Sequence, residues 1–337
     1  MKMTTLKSVA IAVGLCSSAF GQATSPVVGY ETISVEPGFN FVGLRLHEKP
    51  VASGELETVT ANEVVDNDVD LGSLMDGSTF VLEIENAEGV LQEVTMASGT
   101  GLATADTSGI TAPVSYTLRP SANVSSVFGD SAGTIVLDAG TGSSVGADQV
   151  WLWNGSAFDK YYFDSSFLNP DFSTSETWVD AGTSLAVDGS SIDLVYADGI
   201  VLISAAGTDF TVSGDLKSTS TELALQSGFN FVSSVAPVGA NLNVVFGDSS
   251  ANVSLAQGGG SSVGADQVWV WNGSAFDKYY FDQSFLNPDF STSESWVNAA
   301  SSTTVDGSTI ELPSGYVIVS AAGGNASSNV PVFYNGL

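Results

Sequence analysis

Val150-Trp151-Leu152-Trp153-Asn154-Gly155-Ser156-Ala157-Phe158 decides the fold class. Val, Trp and Phe favour strands, and Asn-Gly accepts the positive φ angles of a two-residue hairpin turn. The reading is a β-hairpin in which Trp153 faces Ser156 and Trp151 faces Phe158, all on one side of the ladder. Similar short apolar runs bounded by Gly, Ser, Asn or Asp recur along the chain, without helical periodicity and without βαβ alternation. The expectation is an all-β protein with no helix after the leader.

Outward from the hairpin, Ser143–Val179 recurs as Ser261–Val297, 118 residues later, with three changes: Leu152/Val270, Ser165/Gln283 and Thr177/Ser295. The register persists upstream, where Val127–Ser131 matches Val245–Ser249, and downstream, where Ser191–Leu194 answers Thr309–Leu312. A unit of this length is a domain rather than a solenoid coil. A shorter echo, Gly38–Val42 against Gly228–Val232, marks the N-terminal part as a more distant cousin. The expected layout is a leader over 1–21, an N-terminal β domain over 22–112, and two near-identical modules over 113–218 and 219–337, each a small sandwich or barrel.

The 337 residues carry 37 acidic and 8 basic side chains, a net charge of −29, which leaves no basic surface for nucleic acid. At 43% hydrophobic residues the acidity sits on a chain able to fold. Lys2 and Lys7, the apolar run Val9–Leu15 and the small residues around Ala19–Gly21 read as a secretory signal cleaved after Gly21. That run is far short of the roughly 20 residues a membrane span needs. Cleavage removes Cys16, so no disulfide is expected in an exported chain destined for the periplasm, cell surface or exterior.

Pro26–Leu46 (PVVGYETISVEPGFNFVGLRL), Gly77–Gly89 (GSTFVLEIENAEG) and Ala147–Phe163 (ADQVWLWNGSAFDKYYF) together resemble a family of exported proteins present as many paralogues in verrucomicrobial genomes. The resemblance implies export and a β-rich architecture. It carries no activity and no catalytic residues.

Chemistry is sparsely provided. His47 is the only histidine; a serine triad could use it, but no G-x-S-x-G turn accompanies it, and a zinc site lacks its cysteine and histidine ligands once the leader is lost. Carboxylates near aromatics, such as Asp159, Asp164, Asp171 and Glu176 with their copies, leave glycoside hydrolysis as a third-ranked reading, behind non-catalytic roles. Calcium fits oxygen-rich turns better. The candidates are Asp66, Asp68 and Asp70, and the repeated loop holding Asn169, Asp171 and Glu176 with its copy Asn287, Asp289 and Glu294. For the repeated loop the competing reading is a capped turn. Trp151, Trp153, Tyr162 and Trp178, with Trp269, Trp271, Tyr280 and Trp296, are candidate platforms for sugar rings; the competing reading makes them core. The overall expectation is a non-catalytic structural or adhesive protein, calcium-assisted, with self-association or a surface polysaccharide as its partner. Carbohydrate binding is the alternative.

Overall fold

The computed structural model describes residues 28–60, 63–75, 79–84, 90–96, 100–104 and 110–334; the expected leader, its cleavage site and Cys16 lie outside them. The chain is all-β, with strands far outnumbering a few single helical turns.

The second module is contiguous. Six strands lie side by side, all antiparallel, in the order Gly228–Ser233, Gly315–Ser320, Gln267–Trp271, Phe276–Leu286, Thr292–Asn298 and Thr303–Val305. One face is covered by the ribbon Thr221–Leu225 with Gly324–Ser328 and by the one-turn helix Leu242–Phe246. Alternation along the strands sends Val268, Phe281, Trp296 and Ile318 to this face, where they meet Leu223 and Leu225 of the ribbon and Phe246 of the helix in the main core. The module is a sandwich rather than a barrel.

The first module repeats this order with Gly38–Gly43, Gly199–Ser204, Gln149–Trp153, Phe158–Leu168, Thr174–Asp180 and Leu185–Val187. Its ribbon is Val28–Val35 paired with Thr208–Asp215, and its helix is Val124–Phe128. The two Gly-Phe-Asn-Phe-Val segments are therefore the same edge strand of two equivalent modules. Phe39 and Phe229 are 190 positions apart while Trp151 and Trp269 are 118 apart, so 72 residues are inserted after the first module's second strand. The expected division at 112/113 is corrected accordingly: residues 28–46 belong with 121–217.

The insertion builds its own sheet, ordered Ala52–Leu56, Val114–Pro120, Phe80–Ile84, Val90–Met96, Gly101–Thr104, Glu63–Val65 and Thr58–Val59. Leu56, Leu71, Leu82, Ile84 and Leu118 fill a separate core. A single parallel bridge, Glu222 to Val90, ties this sheet to the second module's ribbon.

Two local expectations are also corrected. The hairpin pairs Trp153 with Phe158 and Trp151 with Lys160, a register two residues away from the two-residue turn. Asn154 takes no positive φ. Its side-chain oxygen accepts the amides of Ser156 at 3.1 Å and Ala157 at 2.9 Å, and only Gly155 turns left-handed, at φ 91°. Because the slip is even, every side chain stays on its expected face. The helix Val124–Phe128 forms because Asn123 and Ser126 cap each other reciprocally, and Gly129 at φ 95° ends it.

Candidate functional site

The outer face of each six-stranded sheet carries aromatic side chains, and at the hairpin end the two outer faces meet. Phe41 packs on Trp271 at 5.7 Å and on Phe276 at 4.9 Å, while Phe231, its counterpart, packs on Trp153 at 5.4 Å and on Phe158 at 4.8 Å. Phe41 and Phe231 stack on each other at 6.2 Å, 11° from parallel. Contacts that exchange partners in this way define a pseudo-twofold junction, a homodimer interface folded into one chain. With Phe39, Trp151, Trp269 and Phe229 at its ends the cluster runs unbroken through ten rings. Glycines permit the close approach: a Cβ on Gly315 would lie 2.5 Å from the Val42 carbonyl oxygen, and one on Gly199 would lie 2.9 Å from the Val232 nitrogen.

The candidate platform residues divide into three groups. Trp178 and Trp296 are 2% exposed and donate their indole N–H to the carbonyls of Gly129 and Gly247, at 2.9 and 3.0 Å. Tyr162 and Tyr280 are buried in satellite clusters with Val179 and Val297. These four are corrected from platform to core. Trp151 and Trp269 are half-buried, and Lys160 and Lys278 lie over their rings at 3.9 and 3.7 Å. Trp153 and Trp271 belong to the junction. Beside each of these two runs a cleft, of about 380 Å³ next to Trp153, Phe231 and Glu222, and about 250 Å³ next to Trp271, Phe41 and the Arg45–Glu31 ion pair. The indole nitrogens of Trp153 and Trp271 are buried without a protein partner.

The repeated Asn-Pro-Asp-Phe loop is a capped turn. Asp171 accepts the Ser173 amide at 3.0 Å and hydroxyl at 2.5 Å, and Asp289 accepts the same groups of Ser291 at 3.0 and 2.6 Å. These hydrogen bonds, hydroxyl first, hold both carboxyls below the usual aspartate range. Asn169 and Asn287 close the turn by bonding the Ser173 and Ser291 hydroxyls at 3.1 and 3.2 Å. Glu176 and Glu294 point elsewhere, to the amides of Ala132 and Ser250, each at 2.7 Å. The expected cation shell of Asn169, Asp171 and Glu176, or of Asn287, Asp289 and Glu294, is not brought together. What the turn does hold is an aromatic knob. Phe172 and Phe290 are both 85% exposed and both left-handed, at φ 63° and 66°, with Leu168 and Leu286 exposed beside them. A bulky residue seldom takes that conformation, and a large apolar one seldom lies so open.

Among the described residues one carboxylate group gathers ligand atoms within 4.8 Å of one another: Glu57, Asp66 and Asp68. Asp70 is not in it and instead caps the turn Leu71–Leu74 through the Ser73 amide at 3.3 Å. Asp66 is satisfied by protein, accepting the Tyr116 hydroxyl at 2.6 Å and the amides of Asp68 and Val69 at 2.7 and 3.1 Å.

His47 lies at the seam between insertion and first module. Glu83 accepts from Lys217 at 3.0 Å, Arg119 at 3.2 Å and the Tyr196 hydroxyl, and His47 stacks on Tyr196 at 3.8 Å. Burial pushes the His47 imidazole down to about 3, so it is neutral. Burial opposes ionisation of Glu83, but Lys217 and Arg119 outweigh it and hold the carboxyl at about 2. This buried cluster ties the insertion to the module and has no counterpart in the second copy. Charge-rich sequence around His47 gave no sign of it, because Glu83 and Lys217 lie 36 and 170 positions away.

No family model, curated protein or solved structure matches the chain.

Proposed function

We propose that this is a non-catalytic structural or adhesive protein that associates with further copies of itself through its two aromatic knobs. The carrying observation is the contrast in how aromatics are used. The tryptophans and tyrosines expected to face a ligand are core, junction or capped by lysine, whereas Phe172 and Phe290 are presented bare on hydrogen-bonded turns. Each knob stands at the end of Phe158–Leu168 or Phe276–Leu286 remote from the junction, roughly 33 Å along the strand. A rigid turn lowers the entropy lost on contact, and two identical knobs on one body make weak contacts additive. Export to the cell surface or exterior, expected from the leader, belongs to this reading. No helix among the described residues is long and apolar enough to cross a membrane.

With a net charge of −29, copies repel at low salt, so association is to be tested in salt that shortens the Debye length to a few ångström. Sedimentation velocity of the chain from Gln22 is expected to show concentration-dependent species that the double variant Phe172→Ser/Phe290→Ser lacks. A wild-type monomer at every salt and protein concentration contradicts the proposal.

A second reading, carbohydrate binding, draws on the paired clefts, because each offers a free indole N–H beside a phenyl wall. Trp153→Phe/Trp271→Phe keeps the packing and removes the donors. Loss of retardation in polysaccharide affinity gels on that change alone would favour this reading over knob contacts.

A further inference from the structure

Asp164 and Asp282 are buried carboxylates that the fold described above does not use. Each lies in the long strand four residues before its exposed leucine, at a bulge in the pairing with the next strand. Each reaches under a glycine loop. Asp164 Oδ1 accepts the amides of Gly142 at 2.8 Å and Ser166 at 2.9 Å, and Asp282 Oδ1 accepts those of Gly260 and Ser284 at the same distances. The loop is pinned alongside by Gly140 to Phe163 and by Gly258 to Phe281, each at 2.7 Å. It then folds back so tightly that a Cβ on Gly140 or Gly258 would fall 2.3 or 2.4 Å from the Ser143 or Ser261 carbonyl oxygen.

The second oxygen, Oδ2, is buried and has no protein partner in either copy. Such an atom is costly to leave unmatched, and its recurrence at equivalent positions makes it a property of the module. Among the described residues no ion pair reaches Asp164 or Asp282. Arg45, Arg119 and Lys217 are committed to Glu31, Glu83 and Asp215, and Lys160 and Lys278 lie over indole rings.

We infer that each module binds one small hard cation, calcium, between Asp Oδ2 and the backbone and hydroxyl oxygens of the glycine loop over 141–144 and 259–262, the Gly140 and Gly258 carbonyls being taken by the amides of Ser165 and Gln283 at 3.0 Å. With the Gly142 and Gly260 amides turned to Oδ1, the ligands left for Oδ2's cation are oxygens of an irregular loop, which suits calcium's flexible coordination and not the strict octahedron of magnesium. The sites are distinct from the turns bearing Phe172 and Phe290, and the inference stands whether or not those knobs make contacts.

Calcium titration calorimetry on the EDTA-treated chain from Gln22, in salt that suppresses diffuse binding to surface carboxylates, tests it. Two saturable equivalents are expected for the wild type, one for Asp164→Asn and none for Asp164→Asn/Asp282→Asn, with magnesium failing to compete. Should the variants fold poorly by near-ultraviolet circular dichroism, terbium on the wild type replaces them: calcium-displaceable emission sensitised through tyrosine is expected, reduced in Tyr162→Phe/Tyr280→Phe. Absence of saturable binding, as ordered water at Oδ2 would give, overturns the inference, as do two equivalents surviving in a folded double variant.

Discussion

Phe41 and Phe231 stack face to face at 6.2 Å, and each is the other's counterpart in a duplicated module. A self-complementary contact of this kind puts the same residue on both sides of an axis, so one substitution damages half of a shared cluster. Phe231→Ala is expected to cost about 3 kcal/mol, in the range for truncating a packed phenylalanine, and Phe41→Ala a similar amount. The double variant should cost less than the sum, because the two rings contact each other. Chemical denaturation of the three variants checks this, and strict additivity would count against the junction.

The glycines of the junction give a sharper steric test. Gly315→Ala puts a methyl 2.5 Å from the Val42 carbonyl oxygen, an overlap that backbone can relieve only by moving, while Gly199→Ala is less severe at 2.9 Å. Gly315→Ala should therefore destabilise more, by about 2 kcal/mol or above, and loosen the two modules against each other. Small-angle scattering would show a larger radius of gyration in Gly315→Ala than in Gly199→Ala.

Core and surface tryptophans should separate cleanly. Trp178→Ala removes a 2% exposed ring and its bond to Gly129, and is expected to cost about 3–5 kcal/mol. Trp151→Ala loses a half-buried ring under Lys160 and should cost less than half as much. Thermal melts of both variants check the order, and a larger loss at Trp151 would contradict the assignment.

Acid should act through the seam at His47. The imidazole is depressed to about 3 when folded against 6.5 as its ordinary value, so the unfolded state binds the extra proton and stability falls as pH drops from 6.5 towards 3. Glu83, depressed to about 2 from 4.5, adds a loss beginning near pH 4.5. The His47 limb has a limiting slope of about 1.4 kcal/mol per pH unit. His47→Phe keeps the stack on Tyr196 without a titrating group, so urea midpoints between pH 6.5 and 5 should become flat in that variant.

At the knobs the expected sign is reversed. Phe172→Gly removes a left-handed, exposed phenylalanine and should leave stability unchanged or raise it by about 0.5–1 kcal/mol, which differential scanning calorimetry would detect. Marked destabilisation would mean that Phe172 packs in the folded chain.

The all-β class, the duplication and the faces of the hairpin residues were legible because they depend on local alternation and on self-similarity. Even the two-residue error in register left Trp151, Trp153 and Phe158 on one face, since strand periodicity is two. The module boundary was not legible. Gly38–Gly43 pairs with Gly199–Ser204 across an insertion that local pattern does not mark, and a five-residue echo was the only trace. Alternation also places Trp151 and Trp178 on faces without saying which face is covered. For that reason the sequence alone offers Trp178 and Tyr162 as platforms alongside Trp151. The single-turn helices depended on the Asn123–Ser126 cap, whose residues read equally well as turn. The Asn169–Glu176 loop reads as oxygen-rich, but Asp171 is used on the loop's own Ser173 and Glu176 on the Ala132 amide, and nothing in the local pattern marks Phe172 as exposed.

The central claim is that one rigid body offers two equivalent knobs, and the length of the assemblies tests it most directly. In sedimentation velocity at high salt, the wild type should form a series of species that lengthens with concentration. Phe290→Ser, with one knob left, should stop at dimers, and the double variant should stay monomeric. Assembly of Phe290→Ser or of Phe172→Ser/Phe290→Ser as far as the wild type would contradict the account.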